Sequence, residues 1–121
     1  MTPLRHWRII ILMEFIETPT FTKQVTQLLS DDSYSELQQE LTKHPKKGKL
    51  IVGGGGIRKI RWDMDNGHGK SGGVRTIYYY KELKNQILML FVYPKNVADN
   101  LTDNQTKILS GLAKEFKDEE E

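Results

Sequence analysis

Two apolar, β-branched runs joined by a short polar connection constrain the fold of this chain more than any other feature. Residues 74–81 and 86–93 have the composition of strands, and Lys84 and Asn85 between them suit a tight hairpin. The two runs should therefore be antiparallel neighbours in one sheet. Residues 57–62 add an earlier strand, so the centre of the chain is predicted to form a meander of β-strands.

Helical patterns precede this meander. A short strand predicted over residues 13–18 is followed by apolar residues at helical spacing over residues 21–29. Ser33 and Glu36 form a capping-box signature, which predicts the start of a second helix, and the His-Pro pair at residues 44–45 should end it. Two helices are therefore expected between the first strand and the meander.

A third helix is predicted after the meander. Thr102 and Gln105 form another capping box, and apolar residues over 108–116 line one helical face. Residues 50–52 allow one short extra strand before the meander. The predicted fold class is α+β, with an antiparallel β-sheet packed by two N-terminal helices and a C-terminal helix.

Length and composition fit a single domain. The chain has 121 residues, of which 37% are hydrophobic and 28% charged, and this leaves no room for a second core. Residues 13–117 are expected to form the domain, and residues 118–121 an acidic tail. Residues 1–12 contain an apolar run too short for a signal peptide or a membrane span. We interpret them as an N-terminal extension outside the native fold, although an added edge strand is an alternative.

Positive charge is concentrated in the middle of the chain. The net charge is only +2, yet residues 43–81 carry +8 and the remainder −6. Such asymmetry favours a basic face for a polyanion, although lysines scattered over several faces would give the same count.

Other sequence motifs that could indicate a ligand site lack the structural context that such a site requires. Residues 67–72 match the dinucleotide fingerprint in letters, but that fingerprint must open a helix and the residues after it are strand-like. The four glycines at residues 53–56 are likewise followed by a strand, so we interpret them as a flexible turn. The three histidines have no partners at helical spacing, so no metal or cofactor is expected. The chain has no cysteine, which excludes disulfides and thiolate chemistry and suits a reducing cytoplasm, where we expect the protein.

Strand alternation predicts a cluster of cations on the sheet. Lys59 and Arg61 lie on one face of the first long strand and Arg58 on the other. On the next strand Arg75 shares a face with Tyr79. We therefore expect one surface of the sheet to show Lys59, Arg61 and Arg75.

Lys95 follows the last strand and would add a further cation to this surface. Buried ion pairs explain the cluster poorly, because only Asp63 and Asp65 lie nearby in the sequence; a solvated outer face is the alternative. The tyrosines at residues 78–80 and Tyr93 offer rings on which bases could stack, and at least one of them should belong to the core.

Three blocks of this sequence resemble a known family. They are GIRKIR at residues 56–61, GGVRTIYYY at 72–80, and YPKN at 93–96 followed by DNLT at 99–102. In this order they resemble the HigB branch of the RelE/ParE toxin superfamily, over residues 13 to about 117.

The resemblance implies the toxin of a type II toxin–antitoxin system with a RelE-like RNase fold. It implies cleavage of messenger RNA in the ribosomal A site and silencing by a HigA-like helix-turn-helix antitoxin, with DNA contacted only through that complex and no role for a membrane. The RNA 2′-hydroxyl would attack the adjacent phosphate, a reaction that needs positioning and charge stabilisation more than a metal.

The resemblance also assigns roles to individual residues. Lys59 and Arg61 would bind the scissile phosphate, with Lys59 the better candidate for the general base. Arg75 would clamp the phosphate bidentately, and Lys95 would lie near the leaving oxygen. The further RNA-binding residues expected are Arg58, Lys70, Tyr79 and Tyr93.

One residue departs from the family pattern, and two other functions stay open. Relatives commonly have Glu after the Lys-Asn pair, whereas Val97 follows Asn96 here, so any role of that acid in orienting the basic cluster is absent. A non-enzymatic inhibitor of DNA gyrase, as in the ParE branch, is one alternative, although the cationic cluster argues against it. An inactive RNA-binding relative is the other.

Overall fold

The computed structural model describes residues 12–63, 73–98 and 100–119, which form a five-stranded sheet with three helices. This architecture confirms the predicted α+β fold class. Nearly all of the predicted N-terminal extension, the 67–72 loop with Lys70, and the last two residues of the acidic tail lie outside the described residues. The elements in chain order are β1 (Glu14–Glu17), α1 (Pro19–Leu28), α2 (Asp31–Lys43), β2 (Lys49–Leu50), β3 (Arg58–Trp62), β4 (Val74–Lys81), a 3-10 turn (Glu82–Lys84), β5 (Gln86–Pro94) and α3 (Asp103–Asp118).

The sheet has the order β1-β5-β4-β3-β2 and is antiparallel except at one edge. The pairs β2–β3, β3–β4 and β4–β5 are antiparallel, as the predicted meander requires. At the edge β1 runs parallel to β5, with Glu14 opposite Gln86, so the prediction of an antiparallel sheet is wrong for this strand. Two helices intervene between β1 and the rest of the sheet, and such a connection permits a parallel pair where a hairpin does not.

The helix starts are fixed by short polar side chains. Thr18 caps α1 by accepting a hydrogen bond from the Phe21 backbone N–H at 3.0 Å, and Pro19 occupies the first helical turn. In α3 the predicted capping box is confirmed, because Thr102 and Gln105 each accept a bond from the other's backbone N–H, at 3.1 and 2.9 Å.

The start of α2 differs from the predicted one. Its cap is Ser30, which accepts from the Ser33 backbone N–H at 3.0 Å, so the predicted capping box at Ser33 and Glu36 is wrong. Asp31 and Asp32 then occupy the first turn, where their negative charges favour the helix N-terminus. Ser33 is instead buried inside the helix, while His44 ends it as predicted.

Two hydrophobic cores lie on opposite faces of the sheet. Helices α1 and α2 cover one face and α3 covers part of the other, so β4 contributes alternate residues to both. Tyr78 is fully buried in the first core, which confirms that at least one tyrosine of the cluster is core. No helix in the described ranges has both the length and the apolar character needed to cross a membrane. The first core includes Phe21, Leu37, Leu41, Ile60, Tyr78 and Met89, and the second includes Ile57, Ile77, Leu90, Leu109, Ala113 and Phe116.

Candidate functional site

The register of the sheet places two arginines and a tyrosine in one row across three strands. Arg61 on β3 lies opposite Arg75 on β4, and Arg75 lies opposite Tyr93 on β5. Side chains paired in this way share a face, and their Cβ atoms lie about 5 Å apart. The row is on the α3 side of the sheet, at the end where β3 and β5 finish and β4 begins. We call Arg61, Arg75 and Tyr93 the cationic row.

Lys95 lies next to this row because of a backbone contact. Its N–H donates to the Gly73 carbonyl at 3.0 Å, which joins the end of β5 to the start of β4. The Lys95 side chain is exposed, as is that of Arg61. The sequence-predicted cations Arg61, Arg75 and Lys95 are therefore brought to one end of the sheet.

Arg75 is the buried member of the row. It shares the predicted face, but only 2% of its surface is exposed, so the expectation that it would be displayed on the surface is wrong. The position of β4 at the centre of the sheet, between β3 and β5, contributes to this burial. A guanidinium keeps its charge in proteins, and charges attract anions more strongly where water is excluded.

The pairing of Arg61 with Arg75 has an energetic consequence. Like charges directly opposite each other on neighbouring strands destabilise a sheet. An anionic group bound between the two guanidinium groups would relieve this repulsion, and a phosphate can accept paired hydrogen bonds from each of them. The arrangement thus suits a phosphodiester.

Lys59 lies on the same face of the sheet as the cationic row, two residues before Arg61 on β3. It is half-buried opposite Ile77, and its Nζ donates to Asn100 Oδ1 at 2.7 Å. Asn100 is a residue that the sequence reasoning missed as a contact of the site. The two residues are 41 positions apart, and no local pattern relates them.

Two sequence-predicted RNA-binding residues lie away from the cationic row. Arg58 points to the opposite face, as predicted, and its Nη1 donates to the carbonyls of Gly48 at 2.7 Å and Lys46 at 3.1 Å. Tyr79 is half-buried against α3, where its ring meets Phe116 edge-on with 6.3 Å between centroids. Arg58 thus holds the turn before β2, and Tyr79 packs in the second core.

Tyr79 and Tyr93 differ in their surroundings. Burial raises the pKa of Tyr79, and the nearby Asp118 carboxylate raises it further. Tyr93 is 7% exposed and packs its ring against Phe91, with 5.7 Å between centroids. Of the two, Tyr93 is the one beside Arg75.

The glycine-rich segment is a turn, as predicted. The Ile51 N–H donates to the Ile57 carbonyl at 3.0 Å, and the chain then enters β3 rather than a helix. Among the described residues no group of three or more histidine, cysteine or acidic side chains is placed to hold a metal ion.

Comparison with known proteins identifies the family. A family model for the RelE toxin of the RelE/RelB toxin–antitoxin system matches residues 13–121. The chain belongs to the RelE toxin family. It is thus a RelE-family toxin of a toxin–antitoxin system, within the superfamily indicated by the three sequence blocks.

Two solved structures are similar to this RelE-family chain. A double arginine-to-alanine mutant of E. coli toxin RelE in the free state has a TM-score of 0.51 at 17% identity, with 74% of this chain and 90% of the other covered. The intact E. coli RelBE toxin–antitoxin complex gives a TM-score of 0.49 at 19% identity, with 67% and 94% covered. The free toxin supports the same α+β fold.

Proposed function

We propose that this RelE-family toxin is a ribosome-dependent messenger RNA endoribonuclease of the HigB type, which inhibits translation. The observation that carries the proposal is the cationic row, in which exposed Arg61 faces buried Arg75. With Lys59 and Lys95 on either side, it offers four cations to one phosphodiester. A gyrase inhibitor that only binds protein has no need of such a cluster.

The proposed reaction is an internal transesterification of RNA. The 2′-oxygen loses its proton and forms a bond to the adjacent phosphorus, and the bond from phosphorus to the 5′-oxygen breaks. The products are a cyclic phosphate and a 5′-hydroxyl, which takes up a proton. Negative charge grows on the phosphoryl oxygens during the reaction, so fixed cations stabilise the transition state more than the substrate.

We assign the cations distinct parts in this reaction. Arg75 would clamp the phosphate bidentately from its buried position, and exposed Arg61 would close on it from the neighbouring strand. Lys59 would bind the scissile phosphate and is our candidate for the general base. Lys95 would stabilise the leaving 5′-oxygen, and Tyr93 would orient or stack beside Arg75.

We further propose a protein partner that silences the toxin. The family model that matches this chain describes the toxin of a toxin–antitoxin system. On this basis we propose that an antitoxin holds this chain inactive. We propose that the antitoxin is HigA-like with a helix-turn-helix domain, and that the toxin would reach DNA only through it. The ribosome with messenger RNA in the A site would be the cytoplasmic target.

Mapping of messenger RNA 5′ ends tests this function. Primer extension after a short expression pulse would compare the wild type with Arg61→Gln and Arg75→Lys, and Lys23→Gln on the exposed side of α1 would serve as a control. New cuts phased to the reading frame are expected for the wild type and the control. Arg61→Gln removes one preorganised charge, and Arg75→Lys removes the paired donors of a guanidinium, so each should reduce cleavage about 100-fold.

The other outcomes point to the alternative functions. Growth arrest without new 5′ ends would refute the nuclease, and a supercoiling assay would then test inhibition of gyrase. Neither arrest nor cuts would indicate an inactive RNA-binding relative.

A further inference from the structure

We propose that Asn100 is a positioning residue that holds Lys59 in place for the scissile phosphate. The inference rests on the proposed function and adds to the site a residue from the loop before α3. Asn100 would act through Lys59 and would not itself contact the reacting atoms.

The contact joins two distant parts of the chain. Lys59 Nζ lies 2.7 Å from Asn100 Oδ1, and Asn100 stands two residues before the α3 cap, Thr102. The capping box of Thr102 and Gln105 fixes the backbone there, so Asn100 is carried by an ordered helix start. A lysine side chain has many rotamers, and an acceptor on a fixed backbone restricts them.

Neither strand neighbour of Lys59 in the register directs its side chain. In the sheet register Lys59 lies between Lys49 on β2 and Ile77 on β4. Ile77 offers no polar atom, and the like charge of exposed Lys49 favours rotamers that move the ammonium away. Asn100 supplies a specific direction on the face that also carries Arg61, about 7 Å further along the strand.

An amide side chain suits the positioning role of Asn100 better than a carboxylate would. The Asn100 oxygen carries no net charge, so it orients Lys59 Nζ without placing a negative charge beside the phosphate. Lys59 Nζ thus remains the group that meets the phosphate.

A double-mutant cycle tests the inference. Cleavage of messenger RNA on programmed ribosomes would be measured for the wild type, Asn100→Ala, Lys59→Ala and the double variant. Asn100→Ala should lower kcat at least about tenfold through misplacement of Lys59, with KM changed less than about twofold. In the Lys59→Ala background the same substitution should cost nothing further.

Two further variants separate positioning from folding. Asn104→Ala, in the first turn of α3, removes the same side chain from an exposed site and should leave kcat unchanged. Asn100→Asp keeps the acceptor oxygen but adds negative charge, so it should retain kcat better than Ala while KM rises several-fold. Thermal midpoints should be equal for all Asn100 variants, because the residue is exposed.

The results that would contradict this inference can be told apart from those that would contradict the proposed function. Full activity of Asn100→Ala, or an equal loss with and without Lys59, would overturn the inference while leaving the nuclease intact. The same holds if Asn100→Asp loses as much kcat as Asn100→Ala. A wild type that cleaves no message would overturn the proposed function and this inference together.

Discussion

Gly73 sets the entry of β4 into the site. Its φ of +72° lies in the left-handed region, and a Cβ added there would come 2.1 Å from the Trp62 carbonyl oxygen. Its own carbonyl accepts the Lys95 N–H. A single residue without a side chain thus lets the end of β3, the start of β4 and the Lys95 backbone approach closely.

A pair of glycine substitutions tests this role. Gly73→Ala should destabilise the protein, by about 1–2 kcal/mol for the left-handed backbone and further because the overlap with Trp62 must be relieved. Gly111→Ala should instead stabilise it by about 0.5–1 kcal/mol, because Gly111 lies inside α3 and a Cβ added there would enter open space. Urea unfolding shows whether each substitution raises or lowers the free energy of unfolding. Equal changes in the two variants would contradict the steric explanation.

Residue-scale features were predictable only where they follow from strand alternation. The shared face of Lys59, Arg61 and Arg75 needs only the two-residue period of a strand, and the structure has it. The burial of Arg75 depends on what covers the sheet, and the Lys59–Asn100 contact depends on where α3 begins in space. Neither is encoded in the local pattern of residues.

At the scale of elements, α3 is held to the sheet by a lysine as well as by its apolar face. Lys81, the last residue of β4, donates from Nζ to the carbonyls of Phe116 at 2.6 Å and Glu119 at 3.0 Å. The same ammonium lies 4.8 Å from the centre of the Phe116 ring. A cation at the C-terminus of a helix satisfies its last carbonyls and interacts favourably with its dipole.

Loss of this lysine should loosen the end of α3. Lys81→Met keeps the aliphatic stem but removes the two hydrogen bonds, so the free energy of unfolding should fall by about 1–2 kcal/mol. Amide exchange over residues 115–119 should become faster, while Lys107→Met on the exposed side of α3 serves as the control. Unchanged exchange in Lys81→Met would show that apolar packing alone fixes the helix end.

Elements with one strong local signal were predicted well, and those with competing signals were not. The predicted run 74–81 coincides with β4, because β-branched and aromatic residues make up most of it. At α2 the sequence offers serines at both 30 and 33, each able to cap a helix. The earlier one prevails because a start at Asp31 places two acids in the first turn and lets the Ser33 carbonyl accept from Trp62 Nε1 at 3.2 Å.

On the scale of the whole molecule, the two faces of the sheet differ in how far helices cover them. One is covered by α1 and α2 and forms the larger core, whereas α3 covers the other only in part. The cationic row lies on this second face, and its two arginines belong to residues 43–81, which carry the local charge of +8. The charge asymmetry was readable from the sequence, but the parallel edge strand β1 was not, because strand partners 72 residues apart leave no local signal.

The raised pKa values of Tyr34 and Tyr78 limit the stability of the fold at alkaline pH. Burial raises the pKa of Tyr78 above the ordinary 10.0, although the Gly48 N–H and the Arg58 charge act in the opposite direction. The pKa of Tyr34 is raised by burial and by its hydrogen bond to Glu17, with 2.6 Å between the oxygens. A group whose pKa is higher in the folded state contributes stability that is fully present below the unfolded pKa. This contribution is lost as the pH rises from about 10 through the folded pKa.

The free energy of unfolding should therefore be nearly constant up to about pH 9 and fall above pH 10, by at most about 1.4 kcal/mol per pH unit for each such tyrosine. Tyr34→Phe and Tyr78→Phe should each make this decline shallower. Tyr78→Phe should also lower stability at pH 7 by about 1–3 kcal/mol, because its hydroxyl accepts from Gly48 and donates to the Pro45 carbonyl at 2.7 Å. Gly111→Ala serves as the control, since it changes stability without removing a titrating group. Urea titrations from pH 7 to 11 measure the slope, and a decline in both Phe variants as steep as in the wild type would refute this origin of the alkaline limit.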